Sequence, residues 1–269
     1  MFQISLAVFK KNRSTVLHAY PWSFIISRIT GGIFAILFPM LMFYFVFNQQ
    51  VSDKFVEYIG TNNYVSYIVL GQALDVLAFA TLMNVGRCLI TEIREGTLDT
   101  FLLSPASRMQ YYIGAYVEQL GRSSLEYGII LLFGLFVGFK IEISKIIWYV
   151  IIFFIASVSF FSLSILLSTV MVYTRDTYLV QNTLMIFMEC VCGVVFPIQY
   201  LPKSLQVISN LFPLTPMLNI FRACVLSDQR LGDCWKWLIQ VGILSMVYII
   251  VGYFGFRKME KKLIEDVLA

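Results

Sequence analysis

Long apolar segments constrain this chain more than any other feature of its sequence. A helix that crosses a bilayer needs about 20 mostly apolar residues, and six stretches meet that requirement. Within the hydrocarbon region every backbone polar group must be satisfied inside the chain, which favours helices. The sequence therefore predicts an all-α membrane protein with six transmembrane helices. The predicted spans are about 23–47, 64–89, 123–139, 146–172, 178–196 and 237–256.

The composition agrees with a membrane protein and argues against several other classes. Of the 269 residues, 59% are hydrophobic and 13% are charged, whereas soluble domains are about 45–50% apolar and about 25% charged. The net charge is only +4 and no dense basic run occurs, so nucleic-acid binding is not indicated. The five cysteines are scattered and odd in number, so they define no disulfide framework. Whether Cys224 and Cys234 pair is left open.

The distribution of Lys and Arg predicts the orientation. Cytoplasmic segments of membrane proteins carry an excess of these residues, and here the excess is clearest in the terminal runs KKNR and RKMEKK. We therefore expect both termini to be cytoplasmic, in a multi-pass protein of the plasma membrane (a bacterial inner membrane). The first residues, MFQISLAVFKKNRS, lack the order of regions of a signal peptide, because their apolar patch precedes the charges.

Two segments outside the spans have their own character. Residues 1–20 are amphipathic and are predicted to form a helix at the cytoplasmic interface. Residues 193–226 are apolar but carry four prolines, which rules out one straight span. For this second segment we expect a pair of short re-entrant helices that dip into the outer leaflet before span 6.

The segment 91–107, between spans 2 and 3, is charged and then amphipathic. Gly96 interrupts any helix that continues from span 2, a short helix restarts from Thr97, and Pro105 ends it. Two interpretations are open: the helix only shapes an interfacial loop, or its apolar anchors enter a groove on a cytoplasmic partner. The anchors that share one face by the i, i+3, i+4 spacing are Leu98, Phe101 and Leu102.

Two patches resemble the permeases of ABC-2 type transporters. The run TEIREGTLDTFLLSPASRMQYYIGAY is similar to the stretch that follows the second span in that family, except that Glu95 and Gly96 are adjacent here. The run FPIQYLPKSLQVISNLFPLTPMLNIFRACVL resembles the family's proline-rich stretch before the last span. With the six-span layout, the resemblance covers essentially the whole chain. The matching residues of the first patch are Glu92, Arg94, Glu95, Gly96, Thr97, Leu98, Pro105, Ser107 and Arg108.

The resemblance implies a single ABC-2 type transmembrane domain over residues 1–269, acting as the membrane subunit of an ATP-binding cassette exporter. The loop 91–107 would hold the coupling helix that contacts a nucleotide-binding subunit. The chain has no Gly-x-x-x-x-Gly-Lys-Ser/Thr motif, so we expect it to bind no cofactor. ATP and Mg would then belong to two copies of the partner subunit, and a second permease chain, identical in a homodimer, would complete the transporter. The residues expected to couple to the ATPase are Glu92, Arg94, Glu95, Gly96, Thr97, Leu98, Phe101, Leu102 and Pro105.

Ionisable groups at membrane depth are costly and mark function or pairing. Gln72 and Asp75 lie on one side of span 2 and, with Glu189 of span 5, are candidates for the wall of a translocation path. Burial against another helix is the alternative for the first two. A second set is spaced i, i+4 on one helix face, and we interpret it as a structural ion-pair ladder. Its members are Glu118, Arg122 and Glu126.

Three functional hypotheses follow. The first is a permease of an ATP-driven exporter for a lipophilic small molecule, a drug or antibiotic, or a lipid-like substrate. A polysaccharide or glycolipid exporter is the alternative within the family, but its N-terminal helix is often more basic than one carrying only Lys10, Lys11 and Arg13. A secondary, ion-coupled transporter is the alternative of another class. An enzyme is disfavoured, because a single His and no hydrolase motif leave no catalytic set.

Overall fold

A computed structural model of the chain describes residues 2–19, 23–46, 48, 50, 52–60, 63–97, 108–174, 178–227 and 229–268. These residues form helices joined by short turns, and no β-strand occurs among them, so the all-α prediction is confirmed. In chain order the α-helices are α1 (Phe2–Ala19), α2 (Ser23–Leu41), α3 (Asp53–Ile59), α4 (Tyr64–Val85), α5 (Cys88–Glu95), α6 (Arg108–Phe136), α7 (Ile146–Thr174), α8 (Tyr178–Val191), α9 (Lys203–Ser209), α10 (Leu214–Leu226) and α11 (Trp235–Leu268).

Within the described residues, four helical stretches are long and apolar enough to cross a membrane. The chain is therefore a membrane protein, while the count of six spans stays a prediction. Helix α8 has 14 residues, or about 21 Å, which is shorter than the roughly 30 Å hydrocarbon core. Helix α6 is long enough with 29 residues, but its first half is polar. The four stretches are Ile29–Val46, Tyr64–Glu95, Ile143–Thr174 and Trp235–Lys258.

Helix α6 begins at Arg108, well before the predicted third span. Hydropathy alone misplaced this boundary because the first half of the helix is held by polar contacts. The hydroxyls of Tyr112 and Ser168 lie 2.7 Å apart, and the Tyr116 hydroxyl donates to Ser157 Oγ at 2.9 Å. Each pair joins α6 to α7, so the tyrosines are packed against a neighbouring helix.

Helix α4 lies at the centre of the bundle and packs against α2, α6, α7, α8 and α10. Its buried residues lie on every side, as in a helix surrounded by others, and Leu70, Leu74 and Leu77 are fully buried. By contrast, α2 and α11 expose most of their apolar residues. Exposed apolar helices of this length are suited to face lipid or another membrane subunit.

Helix α2 shows the two irregularities that its sequence indicates. Pro39 lies inside the helix, and the chain continues as a π-helical turn over Met42–Val46, because proline removes a backbone hydrogen bond from the ladder. Gly32 lets α2 approach α6 closely, since a Cβ there would lie 2.5 Å from Ile130 Cδ1.

Helix α1, predicted to lie at the membrane interface, is docked against α6. The Ser5 hydroxyl donates to the backbone oxygen of Gln110 at 2.9 Å, and Val8 is buried. The close approach depends on Gly114, because a Cβ at this position would lie 2.7 Å from the Ser5 backbone oxygen. The N-terminal helix is therefore part of the packed bundle on this face.

The proline-rich segment 193–226 contains the short helices α9 and α10; that they dip into the outer leaflet stays a prediction. Proline stands at the N-terminal cap of each, Pro202 before α9 and Pro213 before α10, where its missing N–H costs nothing. Helix α8 ends before the segment, where Gly193 adopts a left-handed φ of 83°. Helix α8 is thus shorter than the fifth predicted span, 178–196. Helix α10 is buried against α4, α7 and α11.

Candidate functional site

The C-terminus of α5 makes a sharp turn at Gly96, which confirms that this glycine interrupts the helix. Its φ of 70° is left-handed, a conformation that glycine adopts without steric cost. The Gly96 N–H donates to the Ile93 oxygen at 3.2 Å, and the Thr97 N–H donates to the Glu92 oxygen at 3.0 Å. These two bonds define a Schellman cap, which explains locally why Gly and Thr follow the helix.

The side chain of Glu92 lies at the centre of a polar network at this helix end. Its Oε1 accepts from Lys11 Nζ of α1 at 2.6 Å and from the Tyr111 hydroxyl of α6 at 2.8 Å. Its Oε2 accepts from the Thr97 hydroxyl. Only 7% of the side chain is exposed, and a carboxylate this buried is stable only when it is paired and hydrogen-bonded. We call Glu92, Lys11, Tyr111 and Thr97 the Glu92 network.

The neighbouring charged residues are at the surface. Glu95 is 47% exposed and its Oε2 lies 3.8 Å from Lys11 Nζ, while Arg94 is also exposed. Surface ion pairs contribute at most about 1 kcal/mol. Of the acids predicted to act in coupling, Glu92 is therefore the one that anchors the fold, and Glu95 is free to meet solvent or a partner.

The predicted anchors Leu98, Phe101 and Leu102, together with Pro105, lie outside the described residues. The short helix between them stays a prediction. The structure does describe the flanks of this segment, because Thr97 precedes it and α6 begins just after it. The Tyr111 hydroxyl reaches both Glu92 and the Cys88 oxygen, the latter at 3.2 Å, so both flanks lie together at one end of the bundle.

Sequence reasoning identified Glu92 but missed Lys11 and Tyr111. Lys11 belongs to a basic run that the sequence analysis used only to predict membrane orientation. It is 81 residues from its partner Glu92. The Tyr111 hydroxyl has no charged neighbour in sequence that would indicate its role. No local pattern connects the three residues, since the packing of α1 on α6 brings them together.

The expected ladder on α6 has its first step in place. Arg122 Nη2 lies 2.6 Å from Glu118 Oε2, and Glu118 also interacts electrostatically with Arg13 of α1. Glu126 lies one turn further along the same helix.

The three residues expected along a translocation path lie on α4 and α8, which are in contact. Asp75 and Glu189 are close enough for their charges to interact, and neither forms an ion pair with another described residue. Gln72 lies one turn from Asp75, with its buried Nε2 lacking an acceptor in the described structure. The described residues contain no group of three or more possible metal ligands. Asp75 and Glu189, both half-buried, are thus an interacting acidic pair on the neighbouring helices α4 and α8.

A search of curated proteins finds no match to this chain. A family model described as ABC-2 type transporter matches residues 27–226, which is most of the chain. The matched region includes the Gly96 cap, the acidic pair and both proline-rich short helices. Members of this family are membrane subunits that typically work with an ATP-binding subunit. Together with the helical membrane fold, the match shows that the chain belongs to the ABC-2 type transporter family.

Proposed function

We propose that the chain is the permease subunit of an ATP-driven ABC exporter, and that the Glu92 network holds the segment contacted by its ATP-binding subunit. The described residues before the segment 98–107 end at Thr97, whose hydroxyl and N–H are both bonded to Glu92. That the residue preceding this segment is held by a buried, charge-assisted anchor is the observation that carries the proposal. An unconstrained interfacial loop would need no such anchor.

The network offers a mechanical route from this segment to the membrane helices. Glu92 is bonded to α1 through Lys11 and to α6 through Tyr111, and α5 packs against α7. Hydrogen bonds to a buried carboxylate are short and strong. A displacement applied at Thr97 by nucleotide-driven motion would therefore move α1, α5 and α6 together, and would reach the acidic pair through α4.

The proposed substrate is a lipophilic small molecule, a drug or antibiotic, or a lipid-like compound, taken from the cytoplasm or the inner leaflet. The acidic pair of Asp75 and Glu189 adds a preference for a substrate with a positive charge, because two interacting carboxylates at membrane depth without a cation are unfavourable. The proposal includes both termini in the cytoplasm and the chain in a plasma membrane. This orientation puts the Glu92 network on the side of the ATPase.

A second, identical permease completes the proposed transporter, with two ATP-binding subunits. Helices α2 and α11 expose large apolar side chains, among them Phe34 at 63% and Phe38 at 68%. A path between two copies would use the exposed helices that a single copy leaves uncovered.

An ion-coupled transporter is the second candidate, and the acidic pair is the observation that favours it. Interacting intramembrane carboxylates are common in proton-driven transporters. The test is uptake of a fluorescent cationic amphiphile into inverted proteoliposomes that contain the chain and its ATP-binding subunit. Uptake that requires ATP and persists when a protonophore is added supports the exporter. Uptake driven by a proton gradient without ATP supports the second candidate and contradicts the first.

A further inference from the structure

A groove of about 460 Å³ lies between α1 and the first half of α6. Leu6 and Phe9 of α1 line it together with Ile113 and Val117 of α6, and Gly114 lies where the two helices touch. The volume is within the roughly 300–1,000 Å³ range of pockets that hold small molecules. The groove is separate from the Glu92 network, because none of the four network residues lines it.

The lining of this groove offers apolar surface to a ligand. Leu6, Ile113 and Val117 are exposed although all three are large aliphatic side chains. The Ser5 hydroxyl also lines the groove, but it already donates to the Gln110 backbone oxygen at 2.9 Å. Removing exposed aliphatic side chains from water is favourable. The groove is therefore suited to a hydrocarbon chain.

The groove lies at the level of the bundle where apolar surface gives way to positive charge. Tyr112, which precedes the lining residue Ile113, contacts the edge of Phe256 of α11, with 6.1 Å between the ring centroids. Phe256 ends the sixth predicted span, and Arg257 and Lys258 follow it directly. Basic residues at the end of an apolar span lie at the level of the lipid headgroups. The groove is therefore at the membrane interface.

Apolar surface also continues from the groove along α6. Residues in an i+4 row form a continuous ridge on a helix, and the row that begins with Ile113 and Val117 continues with Gly121 and Leu125. All four are exposed. Leu125 belongs to the predicted third span, so the ridge leads from the groove to the membrane-facing surface. A chain bound in the groove can therefore remain continuous with the bilayer.

The α1 side of the groove carries positive charge. Lys10 directly follows the lining residue Phe9, and Arg13 lies one turn beyond Phe9 on the same side of the helix. Both cations are exposed. Arg13 interacts electrostatically with Glu118, the neighbour of Val117 in sequence. Basic residues on an interfacial helix attract anionic headgroups, so the groove combines apolar surface with the charge that such a lipid requires.

We propose that this groove, which we call the α1–α6 groove, binds one phospholipid with an anionic headgroup. An acyl chain fills the apolar lining, and the headgroup lies beside Lys10 and Arg13. Each of these cations contributes about fivefold to the preference for an anionic over a zwitterionic lipid. The bound lipid braces α1, which also carries Lys11 of the Glu92 network. The site depends on neither the exporter activity nor the direction of transport.

Two other occupants of the α1–α6 groove are the competing explanations. An amphipathic helix of a partner protein also buries apolar anchors in a groove, and bulk lipid covers any exposed apolar surface without selection. The phospholipid is favoured over a partner helix because the apolar ridge continues into a predicted span, where lipid lies. It is favoured over bulk lipid because cations border the groove.

The test of the acyl chain uses the purified full-length chain in nanodiscs that contain phosphatidylglycerol with a photoactivatable diazirine in one acyl chain. After irradiation, mass spectrometry identifies the peptides that carry the lipid. The variant Ile113→Trp fills the groove with a larger side chain. Leu132→Trp is the matched control, because it places the same side chain at an exposed position of α6 outside the groove.

The test of the headgroup leaves the apolar lining unchanged, so it remains informative if Ile113→Trp fails to fold. Native mass spectrometry compares the retention of phosphatidylglycerol and phosphatidylcholine with identical acyl chains. The variant Lys10→Gln/Arg13→Gln removes the two exposed charges. Lys54→Gln is the control, because it removes an exposed cation of α3, at the other end of α4.

We expect the label on peptides of α1 and of the first half of α6. Labelling of these peptides should fall about fivefold in Ile113→Trp, as exclusion of one or two methylene groups implies, and should be unchanged in Leu132→Trp. The preference for phosphatidylglycerol should fall about tenfold in Lys10→Gln/Arg13→Gln and persist in Lys54→Gln.

Three results overturn the proposal. Labelling that is spread evenly over α2, α6 and α11, or that Ile113→Trp leaves unchanged, means unselective contact with bulk lipid. Equal retention of the two lipids by wild type means that the groove does not select an anionic headgroup. Loss of the label when an ATP-binding subunit is bound means that the groove is a protein interface.

Discussion

Replacing Glu92 by glutamine tests the Glu92 network with little change of shape. The substitution removes the negative charge that faces Lys11 Nζ at 2.6 Å and exchanges one carboxylate oxygen for an amide that cannot accept from the Thr97 hydroxyl. Two charge-assisted contacts are thus weakened, while the volume of the side chain and its place on α5 are preserved. The effect therefore reports the network rather than packing.

The expected change in the free energy of unfolding follows from the burial of Glu92 and Lys11. Breaking a fully buried ion pair costs about 3–5 kcal/mol, and an exposed pair is worth about 0.2–1 kcal/mol. The Glu92 side chain is 7% exposed and that of Lys11 is 47% exposed, so this pair is intermediate. We expect Glu92→Gln to lower the free energy of unfolding by about 2 kcal/mol.

The assay is equilibrium unfolding of the purified chain in mixed SDS micelles, analysed as a double-mutant cycle with Lys11→Met. The cycle isolates the Lys11–Glu92 coupling, which we expect to be about 1–2 kcal/mol. Glu95→Gln is the control, because its side chain is half exposed and lies 3.8 Å from the same lysine; its cost should stay below about 0.5 kcal/mol. A coupling near zero, or equal costs for Glu92→Gln and Glu95→Gln, would refute the reasoning.

Three further predictions concern the helix ends and the packing between helices. Gly96→Ala should lower the free energy of unfolding by about 1 kcal/mol, because alanine is strained at the left-handed φ of this position. No atom lies within 4 Å of the added Cβ, so no clash adds to this cost. A measured cost above about 3 kcal/mol would contradict this. Gly114→Val should detach α1, seen as faster proteolysis of the N-terminal helix, whereas Gly121→Val on the same helix should not, since its Cβ position is open. The Cys224 and Cys234 thiols interact electrostatically, so we expect a mild oxidant to join them, as intact-mass analysis after alkylation can show. Burial raises the pKa of the Cys234 thiol above its ordinary value, so less thiolate is present at neutral pH and the reaction should be faster at higher pH; a rate that falls with pH would contradict this.

The regular parts of the fold follow from the hydropathy of the sequence, and the exceptions have physical reasons. Spans with few charged residues, such as α4 and α7, lie close to their predicted limits because burial of an apolar segment depends mainly on its composition. The start of α6 was missed because Tyr112 and Tyr116 are satisfied by α7 serines, and sequence does not show which helix will be the neighbour. The end of α8 depends on the left-handed Gly193, which hydropathy does not register.

The candidate site also has one part that the sequence predicts and another part that depends on tertiary packing. The turn at Gly96 is a local matter of backbone chemistry, so the sequence was sufficient to predict it. The partners of Glu92 were not predictable, because Lys11 and Tyr111 reach it only through the docking of α1 on α6. Arg222 was assigned to an outer segment from its position among prolines, while the packing of α10 against α4 buries it.

The role of the segment after Thr97 is tested most directly by its effect on a partner ATPase. The measurement is co-purification of the chain with the proposed ATP-binding subunit, followed by ATP hydrolysis in nanodiscs for wild type and for the triple variant Glu95→Ala/Leu98→Ala/Phe101→Ala. The account predicts a stable wild-type complex, and a variant that dissociates or hydrolyses ATP without response to substrate. If no ATP-binding subunit associates, or if the variant behaves as wild type, the segment is only an interfacial loop and the account is contradicted.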